Sequence, residues 1–163
     1  MCKLIFLLIL AAMFQSCAPS TTIFFVRHCE KESAMPNADL NAQGRLRAQQ
    51  LAHTLQNVKF AKIYTTNVPR AASTAEPLRL LNNIDSVVYN YHDTVYMAKV
   101  LAEDYEAKNV MVVGHSDNIP AMIRNLGGTM PYHEIPLDEF DNLFVVVVQK
   151  RQPTKVMHLK YGE

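Results

Sequence analysis

The stretch TTIFFVRHCEKES, residues 21–33, is the most informative part of this chain. A continuous run of β-branched and aromatic residues, Ile23 to Val26, is typical of a strand that is buried on both faces of a sheet. The run ends at Arg27 and His28, two groups that repel each other when both are charged. An anion bound beside them would relieve that repulsion. The stretch therefore predicts an anion site at the end of a buried strand.

Strand-like and helix-like patterns alternate along the rest of the chain. Three more strands are predicted at residues 61–66, 85–90 and 109–114, and helical patterns begin near Gly44, Pro69, Val95 and Asp117. Pro77 is expected to kink or end the second helix. The segments 143–149 and 155–161 flank Gln152 and Pro153 and predict an antiparallel pair at the sheet edge. The pattern predicts an α/β fold with three layers, in which helices cover both faces of a mainly parallel sheet.

Polar side chains follow all four of the parallel strands. His28 follows the first strand, Arg70 trails the second by a few residues, Asp93 follows the third, and His115 follows the fourth. Ligands of such sheets bind beyond the carboxyl ends of the strands. We therefore expect these four groups to converge at one edge.

Two arginines and two histidines at one edge suit a tetrahedral dianion. Arginine offers permanently charged, planar donors to phosphate oxygens. A neutral imidazole offers a nucleophilic nitrogen, and neighbouring arginines are expected to lower the pKa of His28 and keep it unprotonated. Arg27 and His28 are therefore compatible if a phosphate group lies between them.

Four blocks of sequence resemble the histidine phosphatase superfamily, the phosphoglycerate mutase-like proteins, in the family's order. VRHCEK (26–31) is similar to its Arg-His-Gly motif, and LNAQGRLRAQQLA (40–52) is similar to the helix that follows it. IYTTNVPRAASTAEPL (63–78) resembles the block with the pocket arginine, and VMVVGHSDNIPAMIRNLGG (110–128) the block with the second histidine. DNLFVVVV (141–148) fits the last core strand.

The resemblance implies a phosphomonoester hydrolase that needs no cofactor and no metal. His28 would be the nucleophile and would form a phosphohistidine that water then hydrolyses. Arg27 and Arg70 would bind the phosphoryl oxygens, and His115 would hold the transferring group and balance its charge. The partner would be a small phosphorylated substrate.

The chain departs from the family's pattern at two points. Cys29 stands where the family usually has glycine or alanine, and it is expected to place an oxidisable thiol beside the pocket. The proton donor for the leaving group is not evident, because the insertion that carries it in larger members is missing. Asp93 is the preferred candidate. Asp117 is its rival, although Asp117 would also serve as a helix cap.

Three alternatives compete with hydrolysis through a phosphohistidine. A cysteine-phosphatase loop is rejected, because it needs an arginine six positions after the cysteine and Met35 stands there. A phosphoglycerate mutase-type phosphotransferase is less favoured, since it needs additional walls to retain its intermediate. A lipid-anchored module that binds phosphate without catalysis is the third alternative.

The first residues indicate a lipoprotein signal peptide over residues 1–16. The apolar run from Leu4 to Phe14 is too short to span a membrane but fits a signal sequence, and FQSC resembles a lipobox that ends at Cys17. We expect lipidation at Cys17, a tether over 17–22, and a histidine phosphatase domain over 23–163, held on a bacterial cell envelope. Its partners would then include the membrane, through the anchor.

Charge and cysteine content limit the other possibilities. The net charge is +1, so no field of the whole chain recruits nucleic acid, and any anion site must be local. Of the three cysteines, Cys2 leaves with the signal and Cys17 becomes the anchor, which leaves only Cys29. The mature domain therefore cannot form an internal disulfide.

Overall fold

The computed structural model of the chain describes residues 19–162 and contains a single six-stranded sheet. The strands lie in the order β3-β2-β4-β1-β5-β6. Their bounds are Ser20–Arg27 (β1), Phe60–Thr66 (β2), Ser86–Tyr89 (β3), Asn109–Gly114 (β4), Asn142–Gln149 (β5) and Lys155–Lys160 (β6). β1 to β4 are parallel, whereas β5 and β6 are antiparallel to their neighbours. The predicted mainly parallel sheet with an antiparallel edge pair is confirmed.

Three helices connect the parallel strands, a fourth leads from β4 to β5, and together they cover both faces of the sheet. Their bounds are Ala42–Thr54 (α1), Pro69–Asn82 (α2), Thr94–Glu103 (α3) and Asn118–Asn125 (α4). α1 and α2 pack on one face around Leu51, Ala75 and Leu78, while α3 and α4 pack on the other around Leu101 and Met122. The central strands are thus buried on both sides, which explains the continuous apolar runs in their sequence. The predicted three-layer α/β fold is confirmed.

The first strand is longer than the sequence predicts. β1 begins at Ser20, because Ser20, Thr21 and Thr22 pair with β5 opposite Gln149, Val148 and Val147. The polar character of these residues hid their place in the sheet. Of the tether predicted over 17–22, the last three residues therefore belong to the folded domain.

Of the two outcomes predicted for Pro77, a kink or the end of the helix, the second is wrong. α2 continues through Pro77 to Asn82 and ends at Asn83, whose positive φ of 51° turns the chain. Ala75 and Leu78 lie on either side of the proline and are buried in the core. Their packing outweighs the backbone hydrogen bond that proline cannot donate, which costs about 3 kcal/mol in a helix.

None of the helices within residues 19–162 is both long and apolar enough to cross a lipid bilayer. Cys17 and the predicted signal peptide lie outside the described residues.

Candidate active site

The pairing of β1 with β4 brings the two predicted histidines together. Arg27, the last residue of β1, lies opposite Gly114, the last residue of β4, so His28 and His115 leave the sheet side by side. Their ring centroids are 5.1 Å apart, and both side chains are buried. The histidines therefore share one edge of the sheet, as predicted.

Backbone contacts fix the tautomer of His28. Its Nδ1 lies 2.8 Å from the carbonyl oxygen of Cys29. A carbonyl can only accept a hydrogen bond, so Nδ1 of the neutral ring carries the proton and Nε2 keeps its lone pair. The ring therefore presents a nucleophilic nitrogen on the side opposite to the backbone.

Both histidines are held uncharged. Burial, with smaller contributions from His115, Arg70 and Arg27, lowers the pKa of His28 to about 3. Burial and the charges of Arg70 and Arg27 lower the pKa of His115 to about 4, against an opposing effect of Asp117 that is larger than the effect of Arg27. The sequence predicted the direction and the part played by the arginines, but burial is the larger cause in both cases.

Arg27 is held by the loop that precedes β5. Its terminal nitrogen Nη1 donates to the carbonyl oxygens of Pro136, Leu137 and Glu139 at 3.0, 2.9 and 3.2 Å. The guanidinium also lies 4.2 Å from the ring centroid of Phe140, which in turn contacts the His28 ring at 6.3 Å. The loop thus orients the charged group of the last residue of β1.

Arg70 lies in the first turn of α2 and faces the same region. Its Nη1 donates to the carbonyl oxygen of Pro36 at 2.6 Å, so the loop after His28 reaches over to this arginine. Arg70 and His115 line one open pocket of about 590 Å³. The charge of Arg70 contributes to lowering the pKa of both histidines.

The Nε atoms of Arg27 and Arg70 are buried and have no hydrogen-bond partner among the described residues. An N–H group buried without an acceptor is costly, and a ligand oxygen is one way to satisfy it. A tetrahedral oxyanion offers several acceptors to such donors. The two arginines therefore fit an oxyanion beside the histidine pair.

His115 is positioned by polar groups that the sequence did not single out. Its Nε2 lies 2.7 Å from Oγ1 of Thr66 at the end of β2, and its backbone N–H donates to Oδ1 of Asn118 at 2.8 Å. The ring of Tyr91 meets the His115 ring at 5.0 Å between centroids. Thr66 and Tyr91 each lie at or just beyond the end of a strand. That position in the sequence could have identified them as site residues.

The two carboxylates considered as proton donors occupy different places. Asp117 caps α4 by accepting from the backbone N–H of Asn118 at 2.8 Å, and its second oxygen accepts a hydrogen bond from the hydroxyl of Tyr91. Tyr91 contacts His115, which puts Asp117 one residue away from the histidine pair. Asp93 stands at the N-cap of α3 and lines a neighbouring groove. Asp117 is thus connected to the histidine pair through Tyr91, whereas Asp93 lines the neighbouring groove.

The expectation of an oxidisable thiol beside the pocket is wrong. Cys29 is fully buried against Leu40 and Ala48, and burial raises the pKa of its thiol to about 11. Its backbone N–H donates to Oγ1 of Thr74 at 2.9 Å, which turns the side chain inward under α1. A protonated, buried thiol is a poor nucleophile and is protected from oxidants.

The loop after His28 is supported from below by α1. Gly44 lies so close to Glu30 that a Cβ atom there would come within 2.2 Å of the Glu30 carbonyl oxygen. Arg47 of the same helix forms a largely buried salt bridge with Glu30 at 2.7 Å. Both contacts fix the position of this loop, which begins at His28, relative to α1.

The described part of the chain, residues 19–162, contains no cluster of three or more histidine, cysteine, aspartate or glutamate side chains that could hold a metal ion. The residues at the site are instead suited to binding an oxyanion directly.

Comparison with known families agrees with this geometry. The family model described as "Histidine phosphatase superfamily (branch 1)" matches residues 23–90, which include the first histidine and both arginines. No curated protein matches the chain in sequence.

Solved structures match over most of the chain. The protein histidine phosphatase SixA complexed with tungstate is 17% identical with a TM-score of 0.69, covering 85% of this chain and 96% of its own. A putative phosphohistidine phosphatase SixA from Agrobacterium tumefaciens is 21% identical with a TM-score of 0.65, covering 85% and 97%. A phosphoglycerate mutase from Bacillus anthracis is 15% identical with a TM-score of 0.67, covering 87% and 93%.

The family model covers the first three of the four sequence blocks that suggested the family, and the fourth block, residues 110–128, lies outside it. Residues 23–90 carry the sequence signature of branch 1 of the histidine phosphatase superfamily, and the described chain has the fold of this superfamily's phosphatases and mutases.

Proposed function

We propose that the protein hydrolyses phosphomonoesters through a phosphohistidine on Nε2 of His28. The observation that carries the proposal is the hydrogen bond between Nδ1 of His28 and the Cys29 carbonyl, which leaves Nε2 unprotonated. The buried Nε atoms of Arg27 and Arg70 support it, because both can donate to the phosphoryl oxygens.

In the first step, the lone pair of His28 Nε2 attacks phosphorus while the bond from phosphorus to the leaving oxygen breaks. The electron pair of that bond goes to the leaving oxygen, which takes up a proton and departs as an alcohol. The phosphorylated ring keeps the proton on Nδ1 and donates it in a hydrogen bond to the Cys29 carbonyl oxygen. This hydrogen bond stabilises the positive charge of the imidazolium. The arginines and His115 stabilise the charge spread over the equatorial oxygens.

The proton for the leaving oxygen is assigned to Asp117, acting through Tyr91. In the structure the Tyr91 hydroxyl donates to Asp117. The proton transfer reverses this hydrogen bond: a protonated Asp117 donates to the Tyr91 oxygen while the Tyr91 hydroxyl protonates the leaving group. Burial and the hydrogen bond to Asp117 raise the pKa of Tyr91 to about 12, so the hydroxyl keeps a proton at neutral pH. General acids of this kind contribute about 100-fold or more to rate.

In the second step, water attacks phosphorus and the bond from phosphorus to Nε2 breaks. The electron pair of that bond returns to His28, which becomes neutral again. The proton released by water goes back through Tyr91 to the Asp117 carboxylate. The products are inorganic phosphate and an enzyme with all its protons restored.

Hydrolysis is favoured over phosphoryl transfer between positions of one substrate because the pocket is open to solvent. The loop residues 31–37, which border the site next to Arg70, are exposed. The open pocket beside His115 gives water a route towards the buried His28. The tungstate in the SixA structure is a tetrahedral oxyanion, which is the ligand shape inferred here.

The test is quenching of the protein with denaturant at alkaline pH during turnover of p-nitrophenyl phosphate, because the bond from phosphorus to a histidine nitrogen is hydrolysed in acid. Mass spectrometry of the peptide that contains His28 follows, without an acid step. We expect a phosphorylated peptide from the wild type and from Cys29→Ser, which keeps a small buried side chain. His28→Asn should abolish both the adduct and turnover. Phosphate release without an adduct, or full activity of His28→Asn, would overturn the mechanism. Binding of phosphate without turnover would favour the non-catalytic module.

We also propose that the domain is anchored to a bacterial cell envelope by lipid on Cys17. The apolar run from Leu4 to Phe14 and the FQSC sequence support this proposal. Incorporation of radiolabelled palmitate into the wild-type chain, but not into Cys17→Ser, is the expected result. Equal labelling of the two chains would contradict it.

A further inference from the structure

A second cavity, of about 370 Å³, runs between strand β3 and helix α3. Its lining combines apolar and aromatic side chains with two carboxylates, principally Val88, Tyr89, Asn90, Asp93, Tyr96 and Asp104. We call it the β3–α3 groove. Its residues take no part in the phosphoryl chemistry described above.

The β3–α3 groove is continuous with the catalytic pocket. Val88, Tyr89 and Asn90 line both cavities, so the end of β3 forms a shared wall. A phosphate bound between Arg70 and His115 would therefore direct the remainder of its ester towards the groove.

The charges of the two cavities are opposite. The catalytic pocket contains the guanidinium of Arg70 and the neutral ring of His115. The β3–α3 groove is lined by Asp93 and Asp104 and by no lysine or arginine of the described chain. A ligand that spans both would be most stable with its negative end at the histidines and its positive end in the groove.

The separation of the two carboxylates indicates the length of ligand that the groove can hold. Asp93 precedes α3 and Asp104 follows it, so they lie about 16 Å apart along the helix at 1.5 Å per residue. Between them, Val88 and Tyr96 present apolar side chains that are 58% and 65% exposed. An aromatic or aliphatic chain can pack on these side chains, and tyrosine faces also attract cations.

We propose that the β3–α3 groove binds the leaving group of the substrate, and that the substrate class is phosphomonoesters of amino alcohols or aminoalkyl phenols. The phosphate is bound by the arginines, the apolar chain packs on Val88 and Tyr96, and the ammonium group faces Asp93 or Asp104. This inference rests on the proposed function for the location of the phosphate.

The experiment compares three aryl phosphates that differ in the charge of a remote group: tyramine phosphate (cationic), para-ethylphenyl phosphate (neutral) and the phosphate of para-hydroxyphenylpropionate (anionic). Their phenolate leaving groups are similar, so the chemical step is similar. We expect KM about fivefold lower for the cationic than for the neutral ester, and higher for the anionic ester, with kcat nearly constant.

Substitutions of the groove carboxylates test whether they cause the preference for the cationic ester. Asp93→Asn and Asp104→Asn, separately and combined, should reduce the ratio of the neutral to the cationic KM towards one. Asp85→Asn removes an equally negative, exposed side chain outside the groove and should keep the wild-type ratio. Because each ratio is internal to one protein sample, a general loss of activity cannot imitate the result.

The affinity of His28→Asn for each of the three esters, measured by calorimetry, is a test that needs no turnover. Equal KM and equal affinity for all three esters would overturn the proposed substrate class, even if hydrolysis occurs. An unchanged preference in the combined groove variant would also overturn it. If none of the esters is hydrolysed but tyramine phosphate binds most tightly, the proposed function fails and the groove assignment stands.

Discussion

The reactivity of His28 depends on one proton and its location. The Cys29 carbonyl holds that proton on Nδ1, and burial prevents a second proton from binding to Nε2. A carbonyl acceptor is available wherever the ring can reach its own backbone. The position of the nucleophile is therefore encoded locally, whereas its protonation state depends on the whole fold around it.

The protonation of the two histidines can be followed directly by NMR of their ring carbons. We expect neither ring to titrate between pH 8 and pH 5, since burial and the arginines lower the pKa values of His28 and His115 to about 3 and about 4. In Arg70→Met both pKa values should rise but stay below the ordinary 6.5, because burial is the larger cause. A titration of either wild-type ring near pH 6.5 would contradict the assigned environment.

If Asp117 supplies the proton, the loss of kcat/KM in Asp117→Asn should depend on the leaving group. Asp117→Asn should lower kcat/KM about 100-fold for glycerol phosphate, whose alkoxide needs a proton, and by less than about tenfold for p-nitrophenyl phosphate, whose leaving group needs none. Asparagine also caps helices well, so the start of α4 should be preserved. Asp85→Asn is the control for loss of one negative charge. Equal losses on both substrates would show that Asp117 only supports the structure.

At the scale of elements, the site depends on how closely α1 approaches the loop after β1. Gly44→Ala should destabilise the domain by about 2 kcal/mol, because its Cβ would press on the Glu30 carbonyl and the backbone must move. We also expect lower kcat, since the same loop carries His28. Gln43→Ala, at an exposed position of the same helix, is the matched control. Urea unfolding of both variants checks the prediction, and a Gly44→Ala variant as stable as Gln43→Ala would contradict it.

The elements also show what the sequence could and could not predict. The alternation of apolar runs and helical patterns was enough to place His28, Arg70 and His115 at one sheet edge, because parallel strands end at the same edge. The loop contacts were not predictable. Arg27 is bound by carbonyl oxygens of residues 136–139, more than 100 positions away, and backbone carbonyls leave no pattern in sequence. Burial of Cys29 was missed for a similar reason, since it depends on the packing of α1.

For the whole molecule, the buried neutral histidines link stability to pH. The unfolded chain binds a proton at each histidine as pH falls below about 6.5, whereas the folded chain does not until pH approaches about 4 and about 3. The unfolded state therefore binds more protons in this window, and stability that is present above pH 6.5 is lost as the pH falls. Two such groups give a slope of about 2 kcal/mol per pH unit between pH 6 and pH 5.

The measurement is urea unfolding of the wild type and of His28→Asn/His115→Asn at pH 7, 6 and 5. The unfolding free energy of the wild type should fall more steeply over this range, and the difference between the two slopes isolates the histidines from the carboxylates that also titrate. Both histidines are less than 10% exposed, so solvent does little to weaken the effect. Parallel slopes would mean that the histidines already accept protons in the folded state, and an uncharged nucleophile at the sheet edge would no longer be tenable.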